Sequence, residues 1–254
     1  MTNDAAEPRA AGPTNGRDLA GLGTADGRQI RPGLVYRSDD TGWGLGTRAA
    51  ELPAQAATAV DLRRPEEVAQ RGLPWFVGEG TTRVPKNLSP VGTVATTITD
   101  EVALGTFYAR LFEAQRLNLG EIMRELATDA EVPAVIYCVA GKDRTGVVVA
   151  TLGMLLGIRQ EELIADYHRS AAFMDGVRAT GQLRGAEEEG VVLPLHAAPP
   201  RAIALFLDHV TARYPSADEL TEALSLPQAT LLELRRRLLT PNGSATGTAD
   251  TRPH

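Results

Sequence analysis

The run from Gly146 to Ile158, Gly-Val-Val-Val-Ala-Thr-Leu-Gly-Met-Leu-Leu-Gly-Ile, carries no charged residue. A helix that is apolar on every side must be enclosed by other protein or by lipid. Spanning a bilayer takes roughly twenty such residues. This run is shorter, so it reads as a helix buried inside a protein core. The stretch just before it, Ala134-Val-Ile-Tyr137, is apolar with adjacent β-branched residues and reads as a short buried strand. A buried strand feeding a buried helix calls for a sheet on one side and further helices on the other.

Between strand and helix lies a short loop that opens with the only cysteine of the chain, Cys138, and ends at Arg144. A strand, a tight loop and a helix N-terminus bring several backbone N–H groups to one point, where the helix dipole favours negative charge. Gly141 lets that loop curl through a left-handed conformation. A thiol at one end and a guanidinium at the other turn the anion cradle into a candidate phosphoryl-transfer site. The cationic neighbours Lys142 and Arg144 and the helix N-terminus favour Cys138 as the thiolate, the nucleophilic form. Arg144 offers a planar fork able to grip two phosphate oxygens, which lysine lacks. The amides of Val139, Ala140, Gly141 and Lys142 are expected to bind the remaining oxygens. Thr145 is suited to donating a hydrogen bond to the Cys138 sulfur or to capping the helix.

Other readings compete for this loop. A non-catalytic module that binds a phosphorylated ligand would keep the cradle without needing the thiol, and the presence of Cys138 favours catalysis. Redox chemistry usually wants a second, resolving cysteine. A nucleotide-binding loop would have Gly-Lys-Ser/Thr where this chain has Gly141-Lys-Asp143. The histidines, His168, His196, His209 and His254, are scattered singletons without ligand spacing. Neither a metal nor an organic cofactor is therefore expected.

Cys138-Val-Ala-Gly-Lys-Asp-Arg-Thr-Gly146 resembles the signature of the bacterial tyrosine-phosphatase family that includes dual protein and phosphoinositide phosphatases. Asn15-Gly-Arg-Asp-Leu-Ala-Gly21, Thr24-Ala-Asp-Gly-Arg28 with Tyr36-Arg-Ser-Asp39, and Val60-Asp-Leu-Arg-Arg-Pro-Glu-Glu67 agree with it. The resemblance runs from about residue 15 to about residue 240. It implies a protein-tyrosine-phosphatase-like fold and a cysteine-dependent hydrolysis of phosphate monoesters through a phosphocysteine. Phosphotyrosine is the expected substrate, with phosphoserine, phosphothreonine or phosphoinositide as extensions. The family's general acid lies within the loop, which maps onto Asp143; the alternative is that Asp143 only pairs with a neighbouring arginine or lysine. Asp61, at a neighbouring strand end, is a competing acid whose structural alternative is an ion pair with Arg63. The family usually has histidine just before the nucleophile. This chain has Tyr137, expected either to replace it in part by donating a hydrogen bond to the loop or to serve only as core. In the family a lysine at position 142 accompanies phosphoinositide turnover, and here it is expected at the rim as a second cation. The alternative is that it acts on Cys138 for every substrate alike.

The remaining sequence fits one α/β domain, with a central, mostly parallel sheet flanked by helices and a helical C-terminal part. Residues 1–14 read as a flexible arm, 15–240 as the phosphatase domain and 241–254 as a flexible tail. Strands are expected over Leu34–Arg37, Thr58–Leu62 and, at a sheet edge because of Pro85, Thr82–Pro85. A short helix is expected over Thr47–Ala57, one starting at Pro65, and one over Glu161–Ala172. Leu104, Phe107, Tyr108, Leu111 and Phe112, and then Leu119, Ile122, Met123 and Leu126, recur at helical spacing. Residues 173–200, rich in glycine and proline, read as a mobile cover over the site. Helices resume with Ile203, Phe206 and Leu207, with a capping box at Ser216-Ala-Asp-Glu219, and with Leu231, Leu234 and Leu238.

A net charge of −6 disfavours nucleic acid and anionic membranes as partners. The expected partner is a phosphorylated protein or a phosphoinositide, without stable membrane insertion. Met1 to Gly16 contains no apolar stretch of the secretory kind. With a lone thiol suited to a reducing compartment, this makes the cytoplasm the expected location.

Overall fold

The computed structural model describes residues 14–43, 51–89, 98–180 and 196–241. In chain order these form β1 (Arg17–Asp18), β2 (Val35–Ser38), β3 (Thr58–Asp61), α1 (Pro65–Arg71), β4 (Thr82–Pro85), α2 (Glu101–Thr128) and β5 (Ala134–Tyr137). Six helices complete them: α3 (Asp143–Leu156), α4 (Gln160–His168), α5 (Ser170–Ala179), α6 (Pro200–Arg213), α7 (Ala217–Ala223) and α8 (Gln228–Leu238).

The strands make one sheet in the order β1-β2-β5-β3-β4. β2, β5, β3 and β4 are parallel neighbours, and only β1 runs antiparallel, at the β2 edge. β5 sits in the middle because all four of its side chains are apolar or aromatic and are buried on both faces. Strand periodicity then sorts them. Ala134 and Ile136 join the large core that includes α2 and α3, and Val135 and Tyr137 join a smaller cluster with Leu52, Ala56 and Phe76 on the other face. Cys138, one residue on, belongs to the large core. β4 lies at the opposite edge, where Pro85 needs no ladder donor.

The charge-free run forms α3, buried almost throughout and ended by Gly157 in the left-handed conformation. The two expected apolar stripes in the middle are one helix, α2, capped by the Asp100 carboxylate accepting from the Ala103 amide at 2.8 Å. No proline or glycine stands between Phe112 and Leu119 to divide it. The Ser216–Glu219 capping box opens α7 as expected.

Several expectations differ. Residues 51–57 of the expected Thr47–Ala57 helix are turns and bends, and 44–50 lie outside the described residues. Pro53 withholds a donor there, and Leu52 and Ala56 are instead packed under Val135 and Tyr137. The helix expected over Glu161–Ala172 is divided at Arg169. The expected cover over 173–200 is helical through Ala179, because Phe173, Met174 and Val177 share one buried helix face. Residues 181–195 of that segment lie outside the described residues, as do the arm apart from Thr14 and the tail apart from Pro241. No described helix is long and apolar enough to cross a membrane.

Candidate active site

The loop between β5 and α3 is shaped from outside by ties to its carbonyl groups. Val139 O accepts from the Asp40 amide (3.2 Å) and from Trp43 Nε1 (2.9 Å). Ala140 O accepts from Asn15 Nδ2 at 2.7 Å, and Gly141 O accepts from Arg37 Nη2 at 2.7 Å. In a trans peptide the C=O of one residue and the N–H of the next point in opposite directions. Three successive carbonyls bonded outward therefore turn the amides of Ala140, Gly141 and Lys142 inward. Among the described residues none of these amides donates to another backbone carbonyl. Gly141 has φ +63°, and a Cβ on it would come within 2.4 Å of Ser38 O, so glycine is required for the loop to lie against β2.

The ties rest on buried, paired charges. Arg37 and Arg17 both donate to the Asp166 carboxylate from opposite sides, Arg17 Nε at 2.7 Å. Arg17 Nη1 also donates to Asn15 Oδ1 at 2.7 Å, which orients the amide that holds Ala140. Burial, then the neighbouring Arg37, lowers Arg17 to about 10. Burial would raise the Asp166 carboxyl, but Arg37 and Arg17 outweigh it and keep it below its usual value. Asp39, accepting from the Asn15 and Thr41 amides, is pushed up to about 6 by burial. The loop is thus held by groups from β1, β2 and α4 that lie far from it in sequence.

Cys138 is a free thiol, only 2% exposed, at the carboxyl end of β5. Arg144, in the first turn of α3, makes a two-point ion pair with Glu67, Nη1 to Oε2 at 2.6 Å and Nη2 to Oε1 at 3.0 Å. Its Nη1 also donates to Leu62 O at 3.2 Å. Glu67 is pinned in turn, because its Oε2 accepts the Arg64 amide at 2.7 Å, an N3 carboxylate reaching back to the start of α1. Burial tends to lower the Arg144 pKa, and the charges of Cys138 and Glu67 more than offset this and raise it. Arg144 is a permanent cation.

Asp143 and Lys142 meet at the loop's end. Lys142 is fully buried, with Nζ donating to Asp143 Oδ1 at 2.7 Å. It is therefore not a cation at the rim: its ammonium is buried against the Asp143 carboxylate. Burial tends to neutralise it, and Asp143, Tyr167 and Cys138 together hold its pKa above the ordinary lysine value. Asp143 Oδ1 also accepts from Tyr108 OH at 2.6 Å, and the Asp143 side chain keeps partial exposure. Thr145 Oγ1 is buried without a hydrogen-bond partner among the described residues, so the expected bond to the Cys138 sulfur is not formed here.

The two secondary candidates turn away from the loop. Tyr137 OH donates to Asp61 Oδ2 at 2.7 Å, across the sheet face opposite Cys138. Its expected bond to the loop is ruled out by strand alternation. Asp61 receives Arg63 at 2.9 Å, Arg83 at 3.0 Å and Tyr137, with its side chain sealed from solvent. Burial pushes its carboxyl up, but the Arg63 and Tyr137 hydrogen bonds outweigh this and leave it below the usual range. That suits an ion-pair anchor and not an acid. The expected loop residues, 138 to 145, come together, and the structure adds Glu67, Tyr108, Tyr167, Arg37 and Asn15. Asn15, Arg37 and Glu67 stand in the stretches that carry the family resemblance, Glu67 also in the acidic first turn of α1, whereas Tyr108 and Tyr167 carried no signal beyond helical spacing.

A sequence profile described as the tyrosine phosphatase family matches residues 8–240. A protein of Cupriavidus necator that carries a tyrosine-protein phosphatase name is 28% identical over 183 residues, 62% of this chain and 60% of that protein. The triple specificity protein phosphatase PtpB of Mycobacterium tuberculosis is 30% identical over 202 residues, 66% of this chain and 70% of its own length. A shorter similarity, 27% over 74 residues, covers 29% of this chain and 25% of a tyrosine-protein phosphatase of Nostoc commune. The chain thus spans 60% of the Cupriavidus necator relative and 25% of the Nostoc commune one, less than two thirds of each.

Proposed function

The chain belongs to the tyrosine phosphatase family, and from that premise we propose that it hydrolyses phosphate monoesters through a phosphocysteine on Cys138. The observation that carries this reading is the outward bonding of Val139 O, Ala140 O and Gly141 O between Cys138 and Arg144. It leaves inward-facing amides around one point, with a nucleophile at one end and a fork-shaped cation at the other. Phosphoryl transfer asks mainly for positioning and charge stabilisation.

In the first step the Cys138 thiolate attacks phosphorus while the bond to the ester oxygen breaks, its electron pair going to that oxygen. Asp143 delivers a proton there and becomes a carboxylate. In the second step water attacks phosphorus, the sulfur–phosphorus bond breaks with its pair returning to sulfur, and Asp143 takes the proton from water. The amides and Arg144 carry the equatorial oxygens throughout. Arg144 starts each cycle aligned by Glu67. Exchanging Glu67 for glutamine should lower kcat/KM by roughly ten- to a hundredfold, the range in which a misplaced binding group acts. Steady-state kinetics check this, and an unaltered kcat/KM would mean that Arg144 needs no such support.

Phosphotyrosine is the proposed first substrate, and the similarity to a triple specificity protein phosphatase supports a range wider than one phosphoamino acid. The test is turnover, in EDTA, of phosphotyrosine peptide, phosphoserine peptide and phosphoinositide side by side. Phosphotyrosine hydrolysis is expected, and its absence together with absent hydrolysis of the other two would sink the reading. Because Lys142 is buried against Asp143, it cannot greet a second phosphate. Lys142→Ala should therefore reduce kcat/KM on every active substrate by a similar factor. A loss confined to phosphoinositide would instead give Lys142 a headgroup-binding role.

A further inference from the structure

Asp143 has one oxygen engaged twice and the other not at all. Oδ1 accepts from Lys142 Nζ at 2.7 Å and Tyr108 OH at 2.6 Å, while Oδ2 takes no hydrogen bond among the described residues. Tyr108 OH lies 2.6 Å from Tyr167 OH. A phenol has a single proton. Since that of Tyr108 goes to Asp143, Tyr167 must be the donor to Tyr108. The result is a one-way chain, Tyr167 to Tyr108 to Asp143 Oδ1, in which each bond polarises the next.

The chain is set by two helices converging on the start of α3. Tyr108 comes from α2 and Tyr167 from α4, and their rings meet edge to face with centroids 5.9 Å apart. Tyr167 also lies over Gly146, where a Cβ would stand 3.2 Å from its ring. Tyr108 and Lys142 are wholly buried and Tyr167 nearly so, so the donors of these bonds are shielded from water. Burial and the nearby Asp143 and Tyr167 raise Tyr108 well above the usual phenol value, so it remains a donor throughout the working pH range.

We propose that Tyr108, backed by Tyr167, is a positioning residue that fixes the Asp143 carboxyl so that Oδ2 carries and delivers the catalytic proton. A free carboxyl could rotate and exchange its oxygens. Two donors on Oδ1 reserve that atom as acceptor, so the proton of the acid form sits on Oδ2, on the side left free for the leaving group. As the proton moves to the ester oxygen, Asp143 becomes a carboxylate. Tyr108 OH and the Lys142 ammonium then hold more charge than before, an interaction that strengthens toward the transition state. This inference rests on Asp143 being the acid.

The experiment compares kcat/KM for an aryl phosphate with a good leaving group, 4-nitrophenyl phosphate, and one with a poor leaving group, phenyl phosphate. Tyr108→Phe should lose about tenfold on phenyl phosphate, the scale of one hydrogen bond to a charged group. On 4-nitrophenyl phosphate, and in inhibition by inorganic phosphate, it should stay within about twofold, since a departing nitrophenolate needs little proton donation. Tyr167→Phe, which keeps the ring and the direct Tyr108 bond, should shift the same ratio in the same direction by less. In an Asp143→Asn background Tyr108→Phe should add no leaving-group dependence. If Asp143→Asn discriminates between the two esters and neither tyrosine variant does, the positioning role is overturned while the acid stands. If Asp143→Asn loses equally on both esters, the acid assignment falls and this inference with it.

Discussion

Cys138→Ser is expected to lower kcat by at least about 10⁴-fold, the scale on which loss of a covalent nucleophile acts. A serine hydroxyl needs a base to become a comparable nucleophile, and the two titratable side chains closest in sequence within the loop, Lys142 and Asp143, are paired with each other. The change removes no packing of consequence, because the side chains are close in size and the position is almost sealed. Inorganic phosphate or vanadate should therefore bind within a few-fold of the wild type, held by the same amides and by Arg144. The two measurements together separate chemistry from binding. Turnover surviving in the serine variant would remove Cys138 as nucleophile, and loss of phosphate binding would mean that the cradle itself had collapsed.

Arg144→Lys should cost roughly 10³-fold in kcat/KM, at the lower end of what an arginine stabilising a phosphoryl transition state contributes. The charge is kept, so the loss measures geometry. Glu67 holds one edge of the guanidinium at 2.6 and 3.0 Å, and its remaining N–H groups are free to bridge two phosphate oxygens. An ammonium can satisfy Glu67 or the phosphate, but not both in parallel. Phosphate affinity should fall as well, in contrast to the serine variant. Steady-state kinetics with phosphate inhibition decide it, and a loss below about tenfold would show that a point charge suffices there.

The loop and its immediate frame were legible because they are local. An apolar strand, Cys138, Gly141, Arg144 and an apolar helix lie within one short stretch, and their order alone puts thiol, amides and guanidinium on the same turn. The strands at Thr58 and Thr82 and the capped helix at Ser216 were legible for the same reason: each is specified by neighbours within a few residues. Reading Tyr137 as a donor to the loop failed on a simple point of geometry. Adjacent residues of a strand face opposite ways, so a residue next to the nucleophile in sequence is directed to the other side of the sheet, where Asp61 awaits it.

Lys142 shows the limit more sharply. Its type and position suggest a rim cation, and nothing in the sequence says that its ammonium is buried against Asp143. Asn15, Arg37 and Glu67 stand in stretches that carry the family resemblance, but that they reach the loop, as Tyr108 and through it Tyr167 do from α2 and α4, is set by contacts between elements distant in sequence. The reactive turn is written in local order, since a glycine at positive φ and a helix start are properties of a few consecutive residues. Which oxygen of Asp143 is free, which edge of Arg144 is held and which way Lys142 points depend on elements far apart in the chain. Those are matters of hydrogen-bond direction between elements, and a buried polar group takes whatever partner the packing brings within reach.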